Sequence, residues 1–120
     1  MTLSDLTDPM VRALLDPRAV AGADWSEAVR AGLVTALGGE SHVTTVGADL
    51  LAEAQRIAEG LSPSMWDVLE AVPDESCYFR GIFHRSTLQA LHGRDLVAMT
   101  VAFVKCKPLG RLVLALRERS

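Results

Sequence analysis

No apolar run in the 120 residues approaches the ~20 that a membrane-spanning helix needs. The opening M-T-L-S-D-L-T-D is acidic and lacks the basic-then-apolar plan of a secretory leader, so the chain reads as cytoplasmic. Two cysteines, Cys77 and Cys106, are too few and too far apart for a zinc knuckle or a disulfide framework, and reduced thiols are expected. H-E-x-x-H, C-x-x-C and the P-loop pattern are all missing. His84 and His92 lie eight apart, about two helical turns. No Glu or Cys completes a metal set around them. Ser86, His84 and Asp95 form a nucleophile trio on paper, without the G-x-S-x-G elbow that would support it. The expectation is a protein that is not an enzyme and needs neither metal nor cofactor. Positive charge is not in surplus either. A net charge of −3 argues against coating nucleic acid through bulk charge.

What the chain does hold is apolar substance. Hydrophobic residues make up 49% and charged residues 22%, enough for a core and too apolar for disorder. The length fits one domain or two very small ones. The charge is uneven. Residues 1–60 carry four Arg against nine acids, 4 − 9 = −5, and residues 61–120 carry eight Lys and Arg against six acids, 8 − 6 = +2. An anionic partner therefore belongs on the second half.

In chain order, Leu3 to Leu6 is a frayed or docking start. Asp8-Pro9 predicts a helix N-cap and first position, with Val11, Leu14 and Leu15 facing inward and a stop before Pro17. Asp24, with Glu27 at the capping-box position, predicts a second helix whose apolar members are Trp25, Ala28 and Val29. Gly38-Gly39-Glu40-Ser41 is a tight turn between short β-type runs, Leu33–Leu37 and His42–Thr45. Thr44 or Thr45 caps a long helix over Val46–Glu59, closed by Gly60. Leu61–Val72 is a further helix and Cys77–Arg80 a short strand.

The two halves repeat one another. From Val34 to Gly47 is 13 residues, and from Val97 to Gly110 is 13 again. D-P-M-V-R-A-L-L matches S-P-S-M-W-D-V-L at an offset of 54, while the later parts match at 63. The second half thus has about nine extra residues, around P-D-E-S-C-Y-F-R-G. Such self-similarity points to a duplicated supersecondary unit.

The stretch Ser86–Arg117 organises the rest. Ser86 with Gln89 reads as a capping box, Leu88 and Leu91 as the buried side of a short helix, and Gly93 as its stop. Val97, Val101, Phe103 and Val104 make the run to Cys106 strand-rich, and Pro108 ends it. Leu109, Leu112, Val113 and Leu116 give a last amphipathic helix. H-R-S-T-L-Q-A-L-H-G-R-D-L-V, a strand-rich wing and K-P-L-G-R-L-V-L-A-L together resemble the back half of a winged helix-turn-helix domain.

That resemblance implies an α+β fold of two winged-helix-like halves in one compact unit. Residues 1–60 would be the acidic half, and residues 61–120 the basic half with recognition helix and wing. It implies a small DNA-binding regulator of transcription, most simply a dimer. Arg85, Ser86, Thr87 and Gln89 would lie at the recognition helix, with Arg80, His84 and Arg94 flanking it and Lys105 and Lys107 on the wing. Arg and Gln suit guanine and adenine edges, and a helix N-terminus suits phosphate. It also implies that the leading strand pairs with the second wing strand, bringing Cys77 and Cys106 onto neighbouring strands. The competing expectation is a protein-interaction module, since T-V-A-F-V is greasy for a strand along a phosphate backbone and the first half is acidic. Trp25, Leu33, Leu51, Trp66, Leu69, Leu88, Leu91, Leu112 and Leu116 are the expected core.

Overall fold

The computed structural model describes residues 2–119. After a 3-10 turn at Leu3–Asp5 come α1 (Asp8–Leu15), a 3-10 turn at Pro17–Ala19, α2 (Gly22–Arg30), β1 (Val34–Leu37), β2 (Glu40–Val43) and α3 (Thr45–Glu59). The second half runs α4 (Pro63–Ala71), β3 (Cys77–Tyr78), α5 (Arg85–Gly93), β4 (Val97–Met99), β5 (Phe103–Cys106) and α6 (Pro108–Arg119). Helix, helix, hairpin, helix therefore occurs twice, and the fold is α+β. β1 and β2 form a two-stranded antiparallel sheet. The other sheet has the order β3-β5-β4, so the leading strand does pair with the second hairpin strand. Among the described residues the first half has no such strand, and its Pro17–Ala19 turn lies against β2 instead.

One hydrophobic core joins the halves, with α6 packed on both α3 and α1. The radius of gyration is 15.1 Å, against about 14 Å for a rounder chain of this length, and the extents of 53 × 26 × 22 Å show the elongation.

The duplication is visible in atoms. In each half the last helix crosses the chain just before the hairpin, and a glycine allows the approach. A Cβ on Gly47 would meet Leu33 O, Val43 Cγ1 and Leu14 Cδ2. A Cβ on Gly110 would meet Leu96 O, Cys106 Sγ and Leu69 Cδ1. Leu33 O accepts from Thr44 N at 2.9 Å and Leu96 O accepts from Lys107 N at 3.0 Å, again at equivalent places. These pairs keep the offset of 63. The first helices do not keep 54, because Leu14 and Leu69 differ by 55 and so do their N-caps, Thr7 and Ser62. Aligning the two prolines misplaces α1 by one residue.

Several expected caps are displaced. The α1 cap is Thr7, one residue before Asp8. α2 begins at Gly22 after Ala21, and Asp24 sits in its first turn with its carboxylate taken by Arg12 at 3.0 Å. α5 is capped by His84, so Ser86 lies inside the helix and forms no capping box. Its left-handed exit is Asp95, φ 60°, rather than Gly93. Thr44 does cap α3, accepting from Gly47 N at 3.2 Å.

Leu33, Leu69, Leu88, Leu91 and Leu112 are buried as expected. Trp25, Leu51, Trp66 and Leu116 are only half-buried against that core, and Val29 is exposed. Trp66 lies under the Arg117 guanidinium, 4.6 Å from the ring centre, so a cation covers one indole face. Cys77 faces Val104 across the β3–β5 ladder, which leaves Cys106 a diagonal neighbour. Diagonal pairs lie roughly 7–8 Å apart, too far to bridge, and both thiols are free.

Candidate nucleic-acid interface

α5 is held by its inner side. Leu88 and Leu91 are fully buried, which turns Arg85, Ser86 and Gln89 outward along one stripe at i, i+1 and i+4. Thr87, expected at the recognition helix, and Ala90 flank the buried pair and are half-buried. The helix N-terminus is open: His84 caps it without a side-chain hydrogen bond, and α5 has no acid in its sequence. Its first N–H groups and Arg85 thus point the same sign of charge at one place. The bend before it, Phe79 to Phe83, is tied by Ile82 N and Phe83 N donating to Phe79 O, and it presents Arg80 to solvent. Gly81 there has φ 77°. A shallow cleft of about 280 Å³, lined by Gly81, Ile82, Phe83 and His84, opens beside the helix start.

The charge around this helix is more one-sided than the half-by-half sum suggests. Residues 77–107 contain Arg80, Arg85, Arg94, Lys105 and Lys107 against Asp95 alone, 5 − 1 = +4. The part of it from α5 on, residues 85–107, sums to 4 − 1 = +3, and the equivalent stretch of the first half, residues 22–44, contains Arg30 against Asp24, Glu27 and Glu40, 1 − 3 = −2. Among the described residues Arg80, Arg85 and Lys105 form no ion pair. Lys107, Arg111 and Arg117 are held by Asp95, Asp74 and Glu70.

The expected site residues therefore separate into two groups. Arg80, His84, Arg85, Ser86 and Gln89 are exposed and gather at the start of α5. Arg94 lies at its other end, about 13 Å along the axis, where it donates to Ala90 O at 2.9 Å. Lys105 projects from β5. Lys107 is not a free wing cation: it is half-buried and 3.5 Å from Asp95, twelve residues away, a pairing with no local signature in sequence. Asp95 stands at the opposite end of α5 from His84, so the paper trio with Ser86 is not assembled. Among the described residues no three His, Cys, Asp or Glu groups converge on a possible metal position.

The outer face of the three-stranded sheet and the loops around it carry exposed apolar residues that the greasy wing only partly located. Tyr78 and Phe103 are cross-strand partners, with ring centres 5.9 Å apart at 74°. Val101, at the tip of the β4–β5 hairpin, is 72% exposed, and Ile82 in the bend is 65% exposed. Ile82 had no strand pattern to reveal it. No helix of the described residues is long and apolar enough to cross a membrane. Comparison with family models, curated proteins and solved structures returns no match for this chain.

Proposed function

We propose that the chain is a small DNA-binding protein whose second half is a winged-helix unit, with α5 as the helix offered to a duplex. The observation that carries this is the outer stripe of α5, where Arg85, Ser86 and Gln89 stand free beside an open helix N-terminus in a segment of net +4. The order helix, strand, helix, hairpin, helix with strands arranged β3-β5-β4 supports the winged-helix reading. The first half, equivalent in plan and opposite in charge, then serves as a scaffold or protein-binding half. A cytoplasmic transcriptional regulator, acting as a dimer, is the role that fits.

Anisotropy of a labelled duplex tests it. Arg85→Ala and Gln89→Ala each weaken binding to a selected site by about 1–3 kcal/mol, the cost of a lost base contact. Lys105→Ala weakens binding to all sequences alike. Arg12→Ala and Arg56→Ala, in the acidic half, change nothing. Equal loss from both sets of variants would refute the assignment to α5. The exposed Val101 and Ile82 favour a second reading, a module that binds another protein through its wing. Wing variants that abolish self-association, in a protein that binds no DNA, would select it.

A further inference from the structure

On the outer face of the three-stranded sheet Tyr78, Phe103 and Lys105 are exposed to solvent. On β5, Val104 and Cys106 point into the core while Phe103 and Lys105 point out. Tyr78, directly opposite Phe103, shares that outer face. The two rings meet edge to face, so the edge-on ring keeps both faces clear of its neighbour and the other keeps one. Both are about half exposed, at 49% and 48%. Lys105 stands two residues along the strand from Phe103, about 7 Å at strand rise. Arg80 follows Tyr78 by two residues, and no acid occurs between Cys77 and Arg94.

We infer that Tyr78 and Phe103 form a stacking platform for an unpaired base, with Lys105 and Arg80 holding the adjoining phosphates. Aromatic rings flanked by cations are the combination that binds single strands without regard to sequence, since every base has a π-face and every nucleotide a phosphate. A second copy of this chain suits the face less well. A two-fold contact presses the same patch of two copies together, and this patch supplies Arg80 and Lys105 on both sides with no acid between Cys77 and Arg94 to answer them. This inference rests on the DNA reading above and extends it. With α5 on a duplex, the sheet face takes an unpaired strand of the same DNA, so the protein prefers a duplex with a single-stranded extension.

The test compares a blunt duplex with the same duplex carrying a thymine extension, both fluorescein-labelled. Wild type binds the extended DNA at least about tenfold more tightly. Tyr78→Ala and Phe103→Ala remove that advantage and leave blunt-duplex affinity unchanged. Phe103→Leu, which keeps an apolar side chain and loses the ring, removes it too, and Phe103→Trp retains it. The leucine and tryptophan variants separate loss of stacking from loss of folding, and far-UV circular dichroism checks the latter. Equal affinity of wild type for the two DNAs, with the duplex still bound, overturns the platform and leaves the duplex reading intact. No binding to either DNA overturns both. Loss of self-association in the Tyr78 and Phe103 variants, without a change in DNA preference, assigns the face to a second copy and overturns the inference as well.

Discussion

Gly110→Ala places one methyl group at the tightest crossing in the second half. In most helices the change is favourable, because alanine exceeds glycine by roughly 1 kcal/mol in helix propensity. Here the added Cβ would fall on Leu96 O, 2.7 Å from Cys106 Sγ and 3.2 Å from Leu69 Cδ1. Leu69 can move, being the end of a flexible side chain. Leu96 O cannot, since it accepts from Lys107 N at 3.0 Å and so fixes the entry of α6. Overpacking of this kind costs about 1–3 kcal/mol, and a backbone obstacle puts it at the upper end. After subtracting the propensity gain, a net loss of about 1–2 kcal/mol is expected. Gly47→Ala meets the equivalent atoms, Leu33 O at 2.5 Å and Val43 Cγ1 at 2.7 Å, and should cost a similar amount. Gly93, also helical, has nothing within 4 Å of its added Cβ, so Gly93→Ala should be neutral or stabilising. Urea unfolding of the three variants decides it, read as midpoint shifts at constant m-value. If Gly110→Ala and Gly47→Ala are as stable as wild type, the glycines do not set the helix–hairpin contact, and the paired architecture loses its physical basis.

Other consequences can be checked with the same protein. Thr44→Val removes two bonds, the cap to Gly47 N and the hydroxyl donated to Gly32 O, and should cost about 1–2 kcal/mol in urea unfolding. Burial pushes the Cys106 thiol from an ordinary 9.0 up to about 11. Because the folded chain keeps a proton that the unfolded chain releases, the stability from this thiol is intact below about pH 9 and lost as pH rises to about 11; Cys106→Ala should flatten that alkaline decline. At pH 8, iodoacetamide should label the half-buried Cys77 well before Cys106, and mass spectrometry of the native protein would show the reverse order if the β3–β5 packing is wrong.

Local signals in the sequence located elements better than their ends. Gly38 and Gly39 sit at φ 58° and 81°, the two positive values a two-residue hairpin turn demands, and the glycine pair announces them. Leu88 and Leu91 fixed the face of α5 by spacing alone. Caps were less legible, because the residue with the right side chain can be claimed elsewhere. Arg12 takes the Asp24 carboxylate from twelve residues away. α5 extends back to Arg85, so Ser86 stands inside the helix instead of at its start. The tryptophans were placed too deep, since nothing local shows that Arg117 would cover Trp66 from 51 residues off. The candidate site divided along the same line. Gln89 was readable from helix periodicity, and Arg80 and Arg85 from their place before the helix, whereas the loss of Lys107 to Asp95 depends on the hairpin's closure. The aromatic pair needed the β3–β5 register, which sequence supplies only through the fold.

The most direct test of the DNA-binding claim is a salt titration of binding to a random duplex. Arg80, Arg85, Arg94 and Lys105 are the exposed cations of residues 77–107 that form no ion pair among the described residues. If three or four of them neutralise phosphates, log K falls against log salt with a slope of about −3 to −4, at roughly 0.9 per phosphate, and Arg85→Ala reduces that slope by about one. Absence of binding at low salt, where the attraction is strongest, or a slope unchanged by Arg85→Ala, would contradict it.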